Sequence, residues 1–375
     1  MIYYLLYPLS GHPSFSYLNV LRYVPFRVLA ATTTAMLLTF GLYPWFIRHL
    51  QTKQIGQVVR KDGPESHFSK AGTPTMGGAL ILLALVTATV LWADPSNVMV
   101  WLCTAVTALY GAIGFIDDSR KVQRKNTAGL SARYKLLLQF SIAFAVCGYL
   151  WYGQQGLPRD WVKIRDLLNV PFVAFERHPF SLPTWLYVVL AAIWVVGISN
   201  AVNLTDGLDG LAIGPVMINA GTYGVLAYLA GLIVFGNDIA TYLHIPSIDS
   251  VGELAIYCGA VIGAGMGFLW YNTYPAQVFM GDVGSLALGG GLGMLAILTK
   301  NELLSLALSG IFILEAVSVI TQVTSYKLTG KRVFLMAPIH HHFEKKGWPE
   351  PRIIVRFWII SVLLALVALS SLKLR

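Results

Sequence analysis

Residues 98–118 read VMVWLCTAVTALYGAIGFIDD, an uncharged block that ends in two adjacent aspartates. Its apolar part, 98–116, is long enough to cross a bilayer as an α-helix, which takes about 20 residues. Similar blocks recur along the chain, and only 12% of its 375 residues are charged while 56% are hydrophobic. A soluble protein carries about a quarter charged residues because its surface faces water. The sequence therefore predicts an all-α, polytopic integral membrane protein.

The apolar blocks predict about ten transmembrane helices in a single domain that covers residues 1–375. The segment 153–182 is predicted to be the only sizeable outside loop, and we assign no chemistry to it. The predicted spans are 26–47, 75–93, 98–116, 136–152, 183–199, 211–235, 252–270, 285–299, 303–325 and 354–372.

Lysine and arginine are distributed unevenly between the loops, and this asymmetry predicts the orientation of the chain. They cluster in the loops after the first, third and ninth spans, and positive loops remain in the cytosol. Odd-numbered loops are therefore predicted to be cytosolic, with both termini outside. The orientation of the chain in the membrane then explains the net charge of +9, and nucleic acid is not a predicted partner. The residues counted are Arg48, Lys53, Arg60, Lys61, Lys70, Arg120, Lys121, Arg124, Lys125, Arg133, Lys135, Lys327, Lys331, Arg332, Lys345, Lys346, Arg352 and Arg356.

Clustered polar residues follow the third, fifth, seventh and ninth predicted spans. Because two crossings separate each loop from the next, all four loops open on the same, cytosolic side. The sequence therefore predicts that they converge on one site at that face. The four loops contain Asp117-Asp118, the stretch 200–210 (NAVNLTDGLDG), the stretch 272–285 (NTYPAQVFMGDVGS) and the stretch 338–344 (PIHHHFE).

Asp117 and Asp118 are adjacent at the end of an apolar helix, where their mutual repulsion favours a bound divalent cation or proton. A solvated helix end would explain them too, but carboxylates at a helix C-terminus oppose the helix dipole. The three cysteines all lie within apolar blocks, so the sequence offers oxygen ligands and no thiolate cluster. Oxygen ligands suit a hard cation, and Mg²⁺ is the natural ion for phosphate chemistry.

Asp206, Asp209 and Asp282 lie among glycines, which allow the tight backbone turns of a phosphate or metal site. A simple turn uses the same residue types. The helical spacing of Asn200 and Asn203, just before Asp206, favours a binding face instead.

The three consecutive histidines His340, His341 and His342 cannot all ligate one ion, because neighbours on a helix point in different directions. Phosphate contact or helix-end hydrogen bonding is expected for one or two of them, and packing for the third. Glu315 lies within a predicted span, where a carboxylate is costly in lipid, so it is expected to face protein or the site.

Two further residues have a functional and a plain structural interpretation. Phe279 is either a packing residue or a ring on which a nucleobase stacks. Lys70, beside glycine and threonine just before a predicted span, is either a topology charge or a phosphate contact.

Taken together, these motifs resemble the polyprenyl-phosphate N-acetylhexosamine 1-phosphate transferases, and among them the phospho-N-acetylmuramoyl-pentapeptide transferases. The resemblance covers nearly the whole chain, and segment 153–182 is where we expect family members to vary. The motifs that carry it are Gly72-Thr-Pro-Thr-Met-Gly-Gly78, Asp117-Asp118, Asn203-Leu-Thr-Asp206-Gly-Leu-Asp209-Gly, Pro275-Ala-Gln-Val-Phe279-Met-Gly-Asp282 and Pro338-Ile-His-His-His-Phe-Glu344.

The resemblance implies transfer of phospho-N-acetylmuramoyl-pentapeptide from its UDP derivative to undecaprenyl phosphate, which yields lipid I and UMP in peptidoglycan synthesis. It also implies Mg²⁺, a homodimer and a multi-pass location in the bacterial cytoplasmic (inner) membrane. The nearest alternative is a sister enzyme that uses UDP-N-acetylglucosamine, although the His340-containing segment with Glu344-Lys-Lys-Gly-Trp348-Pro-Glu350 resembles the muramoyl branch. A transporter is a more distant alternative, disfavoured because the carboxylates cluster at loop ends.

The resemblance also implies roles for individual residues. Asp117, Asp118 and Asp282 are expected to hold the metal and, with His341, to be catalytic. Whether Asp117 acts as base or positioning group for direct attack, or a carboxylate forms a phospho-enzyme, stays open. The expected substrate-binding residues are Lys70, Thr75, Lys121, Asn200, Asn203, Asp206, Asp209, Asn272, Phe279, Gln322, His340 and His342.

Overall fold

A computed structural model describes residues 1–53, 70, 72–124, 129–153, 155–177, 180–234 and 236–374. Arg60, Lys61 and Lys125, which were counted for orientation, lie outside the described residues. Within the described ranges, nine helices are long and apolar enough to cross a membrane, and the 15-residue helix Gly78–Trp92 is a tenth apolar helix. The all-α, polytopic prediction is confirmed.

The helices are numbered in chain order. The ten long ones are α2 (Val24–Thr52), α3 (Gly78–Trp92), α4 (Val98–Arg124), α5 (Ala132–Gly148, extended by a π-helical turn at Tyr149–Gly153), α7 (Thr184–Thr205), α8 (Ile213–Ala230), α10 (Leu254–Asn272), α11 (Gly281–Leu298), α13 (Gly310–Thr329) and α15 (Glu350–Ser370).

The remaining elements are short. The short helices are α1 (Ile2–Leu6), α6 (Arg159–Ile164), α9 (Ile239–Leu243), α12 (Glu302–Leu308) and α14 (Ile339–Lys345), and 3₁₀ turns cover Tyr7–Gly11, Pro13–Arg22 and Val251–Glu253. Two antiparallel hairpins pair β1 (Leu167–Leu168) with β2 (Phe180–Ser181), and β3 (Ile233–Val234) with β4 (Asn237–Asp238).

Helix α11 forms the centre of the bundle. Every residue from Val283 to Leu298 is buried, and the helix packs closely against both α4 and α7. Glycines permit this close packing: a Cβ on Gly289 would lie 2.7 Å from the Ser199 Cα of α7. Helix α10 packs mainly on α2 and α8. The first turn of α11 is therefore held in a fixed place beside the ends of α4 and α7.

Several predicted boundaries were wrong. The span 303–325 is two helices, α12 and α13, that meet at Ser309. The span 211–235 ends at Ala230, and the connection 231–253 carries a hairpin and a short helix. Segment 153–182 is thus not the only sizeable connection on its side. The error arose because Ile233 and Val234 extend the apolar run although they form a strand.

Candidate active site

Three aspartates from two helices meet at one end of the bundle. Asp117 and Asp118 are buried on α4, and Asp282 lies in the first turn of α11. One carboxylate oxygen of each lies within 4.8 Å of the others, the only such group of three in the described ranges. The predicted convergence of these residues is confirmed. Their placement in a loop was wrong, since α4 continues to Arg124 and α11 begins at Gly281.

Gly114 brings the two helices together. It lies one turn before Asp118 on α4, and a Cβ there would be 2.2 Å from the carbonyl oxygen of Asp282. A side chain of any size would therefore separate Asp282 from the α4 aspartates. The start of a helix also suits Asp282, since the positive end of the dipole favours a carboxylate.

Two lysines lie among the aspartates. Lys121 Nζ is 2.6 Å from Asp117 Oδ2, 3.2 Å from Asp118 Oδ1 and 3.2 Å from Asp282 Oδ2. Lys135 Nζ is 2.6 Å from Asp282 Oδ2 and 3.2 Å from Asp117 Oδ2. Lys121 was predicted as a site residue, whereas Lys135 had been counted only as a topology charge. In the sequence it lies in the same predicted loop as the aspartate pair, but orientation alone already explains a lysine there.

Amides complete this first group of residues. Asn203 on α7 donates to Asp282 Oδ1 at 2.9 Å and to Ser285 Oγ at 2.8 Å. The Leu130 amide donates to Asp117 Oδ1 at 2.6 Å. Asn200, one turn earlier on α7, instead donates to Gln139 Oε1 of α5 at 2.8 Å. Asn203 therefore contacts the Asp282 carboxylate directly, whereas Asn200 is bonded to the neighbouring helix α5.

A second charged group contains Lys70, Asp209 and Glu350. Lys70 Nζ is 2.7 Å from Asp209 Oδ1 and 2.6 Å from Glu350 Oε1. Burial alone would lower the pKa of Lys70, but its hydrogen bonds to the two carboxylates outweigh burial and raise that pKa. Glu350 was not predicted as a site residue, although it lies only a few residues after the histidine motif, because no feature of the sequence pairs it with Lys70.

Backbone hydrogen bonds join the segment before α3 to the segment before α11. Phe279 N donates to Pro74 O, and Gly77 N donates to Phe279 O, each at 2.8 Å. A Cβ on Gly281 would lie 2.5 Å from Asp118 Oδ2 and 3.2 Å from Thr75 Oγ1, so Thr75 borders the acidic cluster. The Phe279 side chain is half-buried. Thr75 and Phe279 are thus both carried to this end of the bundle.

Asn272, at the end of α10, holds two loops together. Its Oδ1 accepts from the Gly210 amide and its Nδ2 donates to Val278 O, each at 2.8 Å. The residue is only 3% exposed. Asn272 therefore fixes the positions of the Asp209 loop and the Phe279 segment.

The histidine segment occupies α14. His340 is fully buried, with Nδ1 at 3.1 Å from Glu315 Oε2 of α13, and a Cβ on Gly207 would be 2.3 Å from its Nε2. Glu315 faces protein, as predicted. His341 Nδ1 is 2.6 Å from Glu344 Oε2.

His342 and Gln322 hold the connection between α13 and α14. His342 Nδ1 accepts from the Leu335 amide at 3.1 Å. Gln322 bonds the backbone of Val333 and Phe334. Of the histidines, His340 adjoins the Asp206–Gly210 loop.

Comparison with known proteins agrees with this geometry. The Glycosyl transferase family 4 model matches residues 98–300, and a phospho-N-acetylmuramoyl-pentapeptide-transferase signature matches residues 70–82. A protein of that name from Sorangium cellulosum is 66% identical over 100% of both chains. Proteins of the same name from Geobacter sp. (strain M21) and Syntrophus aciditrophicus are each 54% identical, again over 100% of both chains.

The chain belongs to the phospho-N-acetylmuramoyl-pentapeptide-transferase family.

The matched regions coincide with the site. The transferase signature at 70–82 covers Lys70, Thr75 and the segment that bonds the backbone at Phe279. The broader glycosyl transferase match contains all three clustered aspartates and Asn203. The regions that match the family thus contain the residues that the fold brings together at one end of the bundle.

Asp206, at the C-terminal end of α7, is half-buried in this family member. Burial raises the pKa of its carboxyl to about 8, assisted by the negative charges of Asp282, Asp118 and Asp209. In the unfolded chain the pKa of Asp206 is near 3.8. Between about pH 4 and pH 8 the folded protein therefore binds one proton more than the unfolded chain does. The contribution of Asp206 to stability is therefore fully present below this window and is lost as the pH rises through it.

We expect Asp206→Asn to reduce the decline in thermal stability between about pH 4 and pH 8, measured without divalent metal. The asparagine keeps the shape and has no proton to lose. Glu176→Gln, which changes an exposed carboxylate of segment 153–182, is the control and should follow the wild type. An Asp206→Asn profile that superimposes on the wild type would contradict the assignment.

Proposed function

We propose that this protein transfers phospho-N-acetylmuramoyl-pentapeptide from its UDP derivative to undecaprenyl phosphate, giving lipid I and UMP. The observation that carries the proposal is the cluster of Asp117, Asp118 and Asp282 at one end of an apolar helical bundle. A soluble nucleotide and a membrane-embedded lipid phosphate can meet only at the membrane surface, and we place the cluster there. The family membership supports the same reaction.

We place this surface on the cytosolic face of the bacterial inner membrane, with both termini outside, since Lys70, Lys121 and Lys135 of the basic loops lie at the site. The proposal includes a homodimer, which the family resemblance implies. It does not include nucleic acid as a partner, because the basic residues lie in loops that orient the chain in the membrane or pair with the clustered aspartates.

The donor set fits Mg²⁺. Three carboxylates within 4.8 Å supply hard oxygen ligands, and no cysteine lies beside them in the described ranges. Asp117, Asp118 and Asp282 would hold the ion, and its charge would neutralise the phosphate oxygens during transfer.

The reaction that we propose is direct. An oxygen of the lipid phosphate attacks the β-phosphorus of the nucleotide sugar, and the bond to the bridging oxygen breaks to release UMP. Asp117 is suited to position the lipid phosphate or accept its proton, since the Leu130 amide and two lysines fix both of its oxygens. Lys121 and Lys135 lie beside the clustered aspartates and would stabilise the negative charge of the phosphate oxygens during transfer.

The nucleotide-sugar wall is proposed to comprise the remaining polar residues of this end of the bundle. Asn203 orients Asp282, and Phe279 offers a half-buried ring for the uracil base. The other residues assigned to this wall are Lys70, Thr75, Asn200, Asp206, Asp209, Asn272 and Gln322, with His340, His341 and His342 on the α14 side.

The direct test is transfer by the purified protein in detergent. With undecaprenyl phosphate, UDP-N-acetylmuramoyl-pentapeptide and Mg²⁺, we expect stoichiometric UMP and a lipid-linked product, both abolished by chelation and restored by added Mg²⁺. The two products are measured by chromatography. UDP-N-acetylglucosamine serves as the control donor and should give no lipid product.

The outcomes separate the alternatives. Transfer from UDP-N-acetylglucosamine alone would replace the proposed donor by that of the sister enzymes. A burst of UMP without lipid acceptor would favour a phospho-enzyme over direct attack. Absence of UMP and lipid product with every donor would defeat the proposal.

A further inference from the structure

Glu350, the first residue of α15, is buried beside the proposed nucleotide-sugar wall. Its side chain is 7% exposed, and its two oxygens lie 2.6 and 2.8 Å from Lys70 Nζ. Oε1 also accepts the Asp209 amide at 2.8 Å. One carboxylate therefore holds both a lysine side chain and the backbone of a neighbouring loop.

Carboxylate contacts hold the Lys70 ammonium in place, while its side chain stays 14% exposed. An ammonium has three donors, and three carboxylate oxygens surround this one: Asp209 Oδ1 at 2.7 Å and the two Glu350 oxygens. A lysine side chain is long and flexible, and a single partner would leave it several rotamers. Two carboxylates on opposite segments fix where its charge lies.

The contacts connect four separate parts of the chain. Lys70 precedes α3, Asp209 follows α7, Glu350 begins α15, and Asp209 Oδ2 accepts the Ala276 amide at 2.9 Å. The Asp209 side chain is 2% exposed, so its bonds are shielded from water. Shielded, charge-assisted hydrogen bonds are stronger than those of an exposed pair.

We propose that Glu350 is a positioning residue for the nucleotide-sugar substrate and that it acts through Lys70. By fixing the Lys70 ammonium at the wall of the site, Glu350 sets the affinity for the anionic donor and leaves the transfer step to the aspartate cluster. This inference rests on the proposed function. Glu350 itself does not touch the reacting atoms.

Glu350→Gln tests this directly. The amide retains an oxygen for the Asp209 backbone and loses the charge that holds Lys70. We expect the KM for the UDP-sugar to rise about tenfold, which corresponds to about 1.4 kcal/mol, while kcat stays within about a factor of two. The KM for the lipid acceptor should not change, and Glu176→Gln should match the wild type in every parameter.

A double-mutant cycle separates positioning from a merely structural role. In a Lys70→Met background, adding Glu350→Gln should raise the KM no further, because the residue through which Glu350 acts is already absent. An undiminished tenfold effect in that background would overturn the proposal, and so would an unchanged KM in Glu350→Gln alone.

Two further controls keep the test decisive. If Glu350→Gln lowers the thermal midpoint and cannot be assayed, Glu350→Asp, which keeps the charge, is assayed instead. Its KM for the UDP-sugar should rise by less than about tenfold, and a rise of about tenfold or more would count against the proposal. Wild-type turnover in the same assay tests the proposed function first. A wild type that transfers normally beside an unaffected Glu350→Gln refutes only the role of Glu350.

Discussion

Replacing Asp282 by asparagine is expected to reduce turnover by about 10³-fold at saturating substrates, the usual scale for loss of a preorganised electrostatic group. Asp282 brings α11 into the cluster, and its carboxylate contacts Lys121, Lys135 and Asn203. The asparagine preserves the volume but removes one of three charges that would hold Mg²⁺. The rate of UMP release should therefore also require more Mg²⁺ to reach half its maximum.

The control for Asp282 is Asp160→Asn, in α6 of segment 153–182 at the other end of the bundle. It should leave both the rate and the Mg²⁺ requirement as in the wild type. A folded Asp282→Asn protein that turns over within about a factor of three of the wild type would remove Asp282 from the mechanism.

Gly114→Ala is expected to have the second-largest effect, although the residue carries no functional group. Its Cβ would lie 2.2 Å from the Asp282 carbonyl oxygen, and relieving that overlap would move the start of α11 away from α4 by about 1 Å. Misplacement on this scale costs about 10²-fold in rate. Overpacking should also lower the free energy of unfolding by about 1–3 kcal/mol. Turnover and thermal midpoint are the measurements.

Gly197→Ala is the matched control for Gly114→Ala. Gly197 lies on α7, three residues before Asn200, and a Cβ there meets no atom within 4 Å. Its substitution should leave turnover unchanged and the helix as stable or slightly more so, since alanine favours helix over glycine. Equal losses in both variants would show that the effect reflects helix content, and the role given to Gly114 would fail.

The convergence of the aspartates could be predicted because it follows from counting. Asp117, Asp206 and Asp282 are separated by pairs of apolar spans, and an even number of crossings returns the chain to the same side. Composition and span length alone fixed the fold class. The distances could not be predicted, since they depend on close packing at Gly114 and Gly289, which carry no periodic signal.

Lys135 and Glu350 could not be found because their roles depend on tertiary contacts. A lysine beside a predicted span is explained by orientation alone, and only its 2.6 Å contact with Asp282 distinguishes it from its neighbours. Glu350 meets Lys70 across most of the sequence. The helix ends were misplaced for a related reason. Hydropathy marks only the end of the apolar stretch, whereas α4 continues beyond that stretch to Arg124.

The burial of α11 also restricts where the protein can move during a catalytic cycle. A helix buried along its whole length cannot tilt or slide without displacing α4 and α7, so the backbone of Asp282 is held in a fixed position. Helix α13 is different, because most of its residues face outward and it leads into the histidine segment. An outward-facing helix of this kind can shift with less disturbance to the bundle than α11 can, while the three clustered carboxylates keep their geometry.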